Sequence, residues 1–262
     1  MTNFGAGAAS GGQVYIVPRP DCRSGVVMVE EESPGKPQRR IRVGRNGPYL
    51  VSGSVPLMEQ VIVNGEDGIP VAWREGRRFP LQKSYILCRC GSSSKKPFCD
   101  GTHAKVGFDG TENPGRRPFG VGADVYEGAT LRLIDDRPLC ARARFCRRGD
   151  GVWKLTERSG EPDARREAIE MTAQCPAGRL VQMDPRTGQD IEPKLPPSIG
   201  VIEDPDRREE GPLWVMGGIQ VEGADGFLYE RRNRVTLCRC GRSLNKPFCD
   251  GRHVKEGSPP AP

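Results

Sequence analysis

A 16-residue segment rich in cysteine occurs twice in this chain of 262 residues, and it constrains the fold more than any other feature. The first copy runs from Cys88 to His103 and the second from Cys238 to His253, with 12 of the 16 positions identical. Together the copies use both histidines and six of the 10 cysteines of the protein. A duplicated motif of this kind predicts two equivalent structural units.

Each copy offers three thiols and one imidazole in the pattern Cys-x-Cys-x8-Cys-x3-His. These are soft to borderline ligands, and four of them in a short segment indicate a closed metal site. Asp100 and Asp250 are good N-cap residues, and they favour a short helix that starts beside the third cysteine of each copy. The spacing alone allows either a Cys3His zinc site or an iron–sulfur cluster. The candidate ligands are Cys88, Cys90, Cys99 and His103 in the first site, and Cys238, Cys240, Cys249 and His253 in the second.

The run Cys-x-Cys…Lys-Pro-x-Cys-Asp-Gly-x-His resembles the CDGSH (NEET-type) iron–sulfur domain. Thr102 and Arg252 replace the serine common in that family, at a position that is not a ligand. The resemblance implies one [2Fe-2S] cluster per copy, held by its three cysteines and one histidine, with a role in electron transfer or in cluster transfer or sensing. The alternative is a structural Cys3His zinc protein that binds other macromolecules.

The same resemblance bears on partners and assembly. NEET-type domains pair as two-fold dimers, so two copies in one chain predict either a monomer with internal pseudo-two-fold pairing or a homodimer. The expected partners are redox proteins or cluster-acceptor proteins.

A fainter repeat lies upstream of each motif. The segment Gly47–Gly53 resembles Gly211–Gly217, and both continue with the alternation that half-buried strands show. From this glycine to the first motif cysteine there are 41 residues in the first copy and 27 in the second. We expect the extra residues in loops around Asn64–Gly65 and Glu75–Gly76.

The region between the motifs has its own pattern. Thr130–Ile134 reads as a strand, and Ala164, Ala168 and Met171 recur at helical spacing after Pro162. The helix should stop near Cys175-Pro176, because a residue before proline is biased away from the helical conformation.

This middle region also contains Cys140, Cys146 and Cys175, and it resembles the divergent single-cluster 4Fe–4S ferredoxin-like domain. Arg142 stands where relatives often have histidine. Because a [4Fe-4S] cluster normally takes four cysteines, the region holds a three-cysteine cluster, borrows a ligand, or keeps free buried thiols. A third cluster, [3Fe-4S] or [4Fe-4S], is thus one of the alternatives.

We therefore predict an α+β protein of small, irregular β-rich lobes, in which two CDGSH units flank a ferredoxin-like α+β middle unit. With 35% hydrophobic residues, one large core is not expected. The predicted units are a disordered or linker segment (1–38), the first CDGSH unit (39–110), the middle unit (119–200), the second CDGSH unit (211–257) and a disordered tail (258–262).

Several function classes are disfavoured. The net charge of +6 is spread along the chain, which fits a solvated surface and no nucleic-acid partner. No apolar run approaches the roughly 18 residues of a membrane span. The first residues lack a signal-peptide pattern, so we expect a cytoplasmic location, where cysteines serve metal or redox chemistry. With both histidines assigned as ligands, a Ser-His or Cys-His nucleophile is disfavoured, and we expect a carrier rather than an enzyme.

Overall fold

The structure is a computed structural model that describes residues 38–113 and 115–254. The chain is mostly β-sheet with few helices, as the prediction of β-rich lobes requires. Cys22, nearly all of the predicted segment 1–38 and the predicted tail lie outside the described residues.

The strands are β1 (Arg40–Val43), β2 (Tyr49–Ser52), β3 (Leu57–Asn64), β4 (Pro70–Arg78), β5 (Ser84–Leu87), β6 (Asp124–Glu127), β7 (Arg132–Asp135), β8 (Leu180–Met183), β9 (Asp190–Ile191), β10 (Ser198–Asp204), β11 (Glu209–Met216), β12 (Gln220–Glu222) and β13 (Arg234–Leu237). The helices are α1 (Thr102–Lys105), α2 (Gly151–Glu157) and α3 (Pro162–Ala173), with 3-10 turns at Arg137–Leu139 and Phe145–Arg147.

Each copy of the motif follows the last strand of a small antiparallel arrangement, and the two arrangements have the same topology. In the first half, β1 pairs with β2 and β2 pairs with β5, which leads into Cys88. In the second half, β10 pairs with β11 and β11 pairs with β13, which leads into Cys238. The predicted likeness of Gly47–Gly53 to Gly211–Gly217 is confirmed, because β2 and β11 occupy equivalent places.

The two halves exchange a strand. β12 follows β11 in the chain but pairs in parallel with β1 of the first half. In the same way β3 follows β2 but pairs in parallel with β10 of the second half. The resulting sheets have the orders β12-β1-β2-β5 and β13-β11-β10-β3-β4. We call them the first and the second sheet, and a pseudo-two-fold rotation relates them within one chain.

One core joins the two sheets. Because side chains alternate across a strand, every second residue of the central strands points between the sheets and is buried. This core contains apolar residues from both halves, so neither half has a complete core by itself. Its members are Ile41, Val43, Tyr49, Val51, Val55, Leu57, Tyr85, Leu87, Ile199, Val201, Leu213, Val215, Ile219, Val221, Tyr229, Val235 and Leu237.

The extra residues of the first half form the hairpin of β3 and β4. The predicted turn at Asn64–Gly65 is present, and the Gly65 N–H donates to the Ile69 carbonyl at 2.8 Å. The predicted loop at Glu75–Gly76 is wrong, because both residues lie in β4. The strand register shifts there, which indicates a β-bulge that absorbs the irregular pairing.

The middle unit has a separate core. An antiparallel sheet of order β6-β7-β8-β9 packs against α2 and α3. The strand and helix predicted there are both present, with α3 burying Ala164, Ala168 and Met171 as its spacing requires. No helix in the part of the chain that the structure describes is long and apolar enough to cross a bilayer.

The middle unit packs against the second sheet, on the face that points away from the shared core. The rings of Trp73 and Phe145 lie 4.7 Å apart, and Trp73 lies 5.0 Å from Trp214. Arg234 on β13 donates to the Thr172 carbonyl at 3.0 Å. The pseudo-two-fold symmetry is therefore broken, because one sheet is covered on both faces.

Candidate metal centres

Both ligand loops fold back onto the strand that precedes them. In the first copy the Cys88 N–H donates to the Pro97 carbonyl at 2.8 Å, and the Cys99 N–H donates to the Ile86 carbonyl at 3.1 Å. The second copy repeats the two bonds at 2.8 Å and 2.9 Å. The Lys–Pro peptide bond is cis in both copies. The third cysteine of each motif is thus held beside the first.

Side chains of the motif itself complete the loop. The Ser93 hydroxyl donates to the Phe98 carbonyl at 2.6 Å, and Ser243 does the same in the second copy at 2.7 Å. The Asp100 carboxylate accepts from the Ser94 N–H at 2.8 Å, and hydrogen bonds from Thr102 and Ser94 hold its pKa below the usual range. These bonds explain why serine and aspartate recur at fixed places in both copies.

The predicted helix beside the third cysteine is only partly found. α1 is a single turn whose N-cap is Gly101, so the prediction of Asp100 as N-cap is wrong. Asp100 instead accepts the Thr102 N–H at 3.0 Å, inside that first turn. In the second copy the described residues after Asp250 form a turn and no helix.

The four candidate ligand atoms of each motif fall into two close pairs. In the first motif the Cys88 and Cys90 sulfurs are 3.8 Å apart, and the Cys99 sulfur is 3.3 Å from His103 Nδ1. The corresponding distances in the second motif are 3.7 Å and 3.4 Å. Within the described residues no group of three or more His, Cys, Asp or Glu side chains converges on one ion position.

Backbone and side-chain donors surround the sulfurs. The Gly101 N–H donates to the Cys99 sulfur at 3.4 Å and the Gly251 N–H donates to the Cys249 sulfur at 3.3 Å. In the second motif the pKa of Cys240 is lowered to about 6, because the Cys238 thiol donates to it and Arg242 lies beside it. Such donors favour the thiolate form that binds metals. Burial acts against them and raises the pKa of Cys90 and Cys249.

The two ligand loops touch each other at the pseudo-two-fold axis. A Cβ atom at Gly91 would lie 2.8 Å from the Cys240 carbonyl oxygen, and one at Gly241 would lie 2.6 Å from the Cys90 carbonyl oxygen. Both glycines have positive φ, at 82° and 77°. Glycine is therefore required twice over, for the turn and for the close approach.

Residues 46–104 and 210–254 match the family described as iron-binding zinc finger CDGSH type. The chain carries two CDGSH regions. The residues between them, 126–185, match the divergent 4Fe-4S mono-cluster family. These matches confirm the resemblances drawn from the motifs and indicate an iron–sulfur protein. No curated protein and no solved structure matches the chain.

The arginine inside each Cys-x-Cys is buried. Arg89 donates to the Gly110 carbonyl at 2.7 Å, and Arg239 donates to the Ile202 carbonyl at 2.9 Å. Both guanidinium groups thus fasten neighbouring backbone to the CDGSH loop. Of the lysines in the motifs, Lys96 forms an ion pair with Glu210 at 2.6 Å.

The second CDGSH site is covered by the middle unit. Cys249 packs with Ala141, Ala177 and Cys175. His253 and Arg142 line one small cavity. Burial, followed by the charges of nearby arginines, lowers the pKa of His253 to about 4.

Tyr49 contacts the second CDGSH loop, although it lies outside both motifs. Its hydroxyl, on β2 of the first half, lies 2.8 Å from the Cys238 carbonyl and 3.0 Å from the Pro247 carbonyl of the second CDGSH loop. The equivalent residue on β11 is Leu213, which has no hydroxyl. No sequence signal distinguishes Tyr49 from an ordinary core residue.

The cysteines of the middle unit lie near one another and near the second CDGSH site. Burial raises the pKa of Cys146 to about 12, and the neighbouring Cys175 and Cys140 act in the same direction. Arg179, which pairs with Asp135 at 2.5 Å, lies beside Cys140. Three thiols are chemically suited to an iron–sulfur site. The three alternatives for this unit, a three-cysteine cluster, a cluster with a borrowed ligand or free buried thiols, stay predictions.

Proposed function

We propose that this protein carries electrons through two [2Fe-2S] centres, each held by three cysteines and one histidine. The observation that carries the proposal is the grouping of each ligand set into two pairs, while no three such side chains of the described residues converge on one ion position. A two-iron core takes two protein ligands per iron, whereas a structural zinc ion takes all four around one point. The proposed ligands are Cys88 with Cys90, Cys99 with His103, Cys238 with Cys240, and Cys249 with His253.

When bound, such a cluster takes up and returns single electrons, and the residues of the chain hold and tune it. The glycine N–H groups that donate to Cys99 and Cys249 stabilise anionic sulfur. One neutral histidine in place of a thiolate favours a higher potential than four cysteines give. The contact of Gly91 with Cys240 supports electron exchange between the two sites, because it brings the ligand loops together.

The first test is an iron and sulfide count on freshly purified protein, together with its visible and electron paramagnetic resonance spectra. Two [2Fe-2S] centres require about four iron atoms per chain, and a clearly higher count would show that the middle unit is loaded too. A colourless protein with two zinc ions per chain would contradict the proposal in favour of the structural zinc protein.

Cluster transfer is a second candidate, which the partial exposure of Cys99 and His103 favours. Incubation of the loaded protein with an apo-ferredoxin separates the two functions. Transfer of iron and sulfide on the timescale of minutes supports cluster donation, whereas reversible potentiometric titration without iron loss supports electron carriage. The proposal includes a cytoplasmic location, which free cysteines favour. It also includes a monomer, which the pairing of the two halves within one chain favours over a homodimer.

A further inference from the structure

The two CDGSH motifs are nearly identical in sequence but differ in what surrounds them. A Cβ atom at Gly251 would lie 2.6 Å from Arg142 Cγ and 2.9 Å from the Cys140 carbonyl oxygen. At the equivalent Gly101 no described atom beyond its chain neighbours lies within 4 Å of that position. Cys249 is only 2% exposed, whereas Cys99 is partly exposed. Residues 140–142 of the middle unit therefore cover the second site at Cys249 and Gly251 and leave the equivalent part of the first site open, while His253, like His103, stays partly exposed.

The sheets show the same difference beside the two sites. Arg42, Leu50 and Ile86 lie side by side across β1, β2 and β5 of the first sheet. Leu50 and Ile86 are each 44% exposed. The equivalent Trp214 and Thr236 of the second sheet are 5% and 2% exposed, and Ala143 and Phe145 of the middle unit pack with Trp214.

We call the exposed face of Arg42, Leu50 and Ile86 the bare face, and it is continuous with the first site. The Ile86 carbonyl accepts the Cys99 N–H at 3.1 Å, so the exposed strand and the ligand are joined directly. In the second half, residues 140–145 of the middle unit reach from Gly251 to Trp214. A partner that lay on Leu50 and Ile86 in the same way would also reach the first site.

The charges around the first site favour an acidic partner. Lys95 of the first motif and Lys105 just after it are exposed, and Arg42, which pairs with Glu222 at 3.1 Å, is exposed at the edge of the bare face. Charge complementarity of this kind guides association and fixes orientation more than it adds affinity.

We propose that the two CDGSH sites have different roles: the second is kept covered by the middle unit, and the first is where an acidic iron–sulfur protein docks on the face of Arg42, Leu50 and Ile86. The exchange is of one electron, so the partner is oxidised by one electron as the first site is reduced by one. The middle unit, which covers the second half, matches an iron–sulfur family. We therefore infer that the partner on the equivalent face of the first half is an iron–sulfur protein too. This inference rests on the proposed function for what is exchanged, but the difference in exposure does not depend on it.

Hydrogen exchange of the full chain tests the cover without any assay of electron transfer. Peptides over residues 99–103 and 249–253 carry matched bonds, since the Gly101 and Gly251 N–H groups donate to sulfur at 3.4 Å and 3.3 Å. We expect about tenfold slower exchange in the second peptide, because covered segments open less often. Equal rates in the two peptides would overturn the assignment of different roles.

The variant Arg142→Gly removes the covering side chain. Arg142 has a φ of 54°, which glycine adopts without strain. We expect faster exchange over residues 249–253 and no change over 99–103. A change confined to residues 99–103 would contradict the cover, and the comparison in the unaltered chain stands even where the variant folds poorly.

Docking is tested with a plant-type [2Fe-2S] ferredoxin as the acidic probe, by measuring Kd at low salt. Leu50→Glu and Ile86→Glu should each weaken binding by about tenfold, since the interface then contains an unpaired carboxylate. The matched control is Val125→Glu, at an exposed position 51% accessible on β6 of the middle unit, and it should leave Kd unchanged.

Each docking outcome decides the occupant. Equal weakening by all three variants, or none by the two variants on the bare face, would overturn this docking surface. Self-association in sedimentation that Ile86→Glu abolishes would assign the face to a second copy of the chain and overturn the ferredoxin-like occupant. A zinc-loaded protein that still shows slower exchange over residues 249–253 would refute the proposed function while confirming the cover.

Discussion

At the scale of single residues, two glycines of the first ligand loop have similar φ angles but different surroundings. Gly91 has a φ of 82° and approaches the Cys240 backbone, whereas Gly101 has a φ of 86° and open space around its Cβ position. Each follows a ligand cysteine closely in the chain. The pair therefore separates the effect of backbone conformation from the effect of contact between the loops.

Gly91→Ala should destabilise the protein more than Gly101→Ala. Both substitutions carry the strain of a positive φ, about 1 kcal/mol. Only Gly91→Ala also forces the two CDGSH loops apart, which adds about 1–3 kcal/mol as overpacking does elsewhere. Denaturant unfolding of the loaded protein measures both, and equal losses would show that the contact between the loops adds nothing.

Tyr49 is the residue whose importance the sequence conceals. Tyr49→Phe leaves the Cys238 carbonyl without its hydroxyl partner, so we expect a loss of about 1–2 kcal/mol. We also expect faster loss of iron to a chelator from the second site than from the first. The control is Tyr85→Phe, which removes a buried bond to the Val55 carbonyl, a residue of neither ligand loop, and keeps the ring that packs on Phe98 of the first loop. Similar iron release in both variants would argue against a role at the second site.

At the scale of elements, what the sequence could predict depends on how local the cause is. α3 was predictable because Ala164, Ala168 and Met171 mark one helical face. The strands before each motif were predictable from their alternation and their repetition. The exchange of β3 and β12 was not, because a strand with the right alternation pairs equally well with either half until the whole sheet is assembled. β10 likewise begins at Ser198, within the range expected for the middle unit, yet it pairs with β11 of the second half.

Glu222 links the exchanged strand β12 to β1. Its carboxylate accepts from Arg40 at 3.0 Å and from Arg42 at 3.1 Å, and it is largely buried. Glu222→Gln should cost about 1–2 kcal/mol, since two charged bonds to a partly buried carboxylate are lost.

The matched control for this prediction is Glu127→Gln. Glu127 pairs with Arg132 at 2.7 Å on an exposed part of the middle unit. Exposed ion pairs of this kind contribute at most about 1 kcal/mol and often much less. Thermal unfolding measures both variants, and a loss for Glu222→Gln no greater than that of the control would show that the exchanged strand does not depend on this ion-pair network.

At the scale of the whole molecule, the repeated motif predicts the ligands of both sites. It does not predict that the middle unit covers one site and not the other. Cysteine and histidine at fixed spacing predict both sites, since the motif is local and occurs twice. The cover on the second site comes from Arg142 and its neighbours, more than 100 residues away in the chain from Gly251. Such contacts arise from the packing of the middle unit on one sheet, and no pattern within the motif encodes them.

The shared core predicts that the two CDGSH halves unfold together. Ile41 is fully buried among residues of both halves, so Ile41→Ala should cost about 2–4 kcal/mol and release both proposed clusters in one transition. Leu133 is equally buried, but in the core of the middle unit. Leu133→Ala should cost a similar amount and loosen the cover on the second site before the sheets separate.

One denaturant titration with two signals distinguishes these effects. Visible absorption follows the clusters, and fluorescence follows the three tryptophans of the chain. Trp153 lies in α2 of the middle unit, and Trp73 and Trp214 lie on the sheet face that the unit covers. We expect coincident signals for Ile41→Ala and an earlier fluorescence change for Leu133→Ala. One cluster transition is expected because a core shared by both sheets cannot be lost from one sheet alone. Two separate cluster transitions in Ile41→Ala would mean that the halves fold independently.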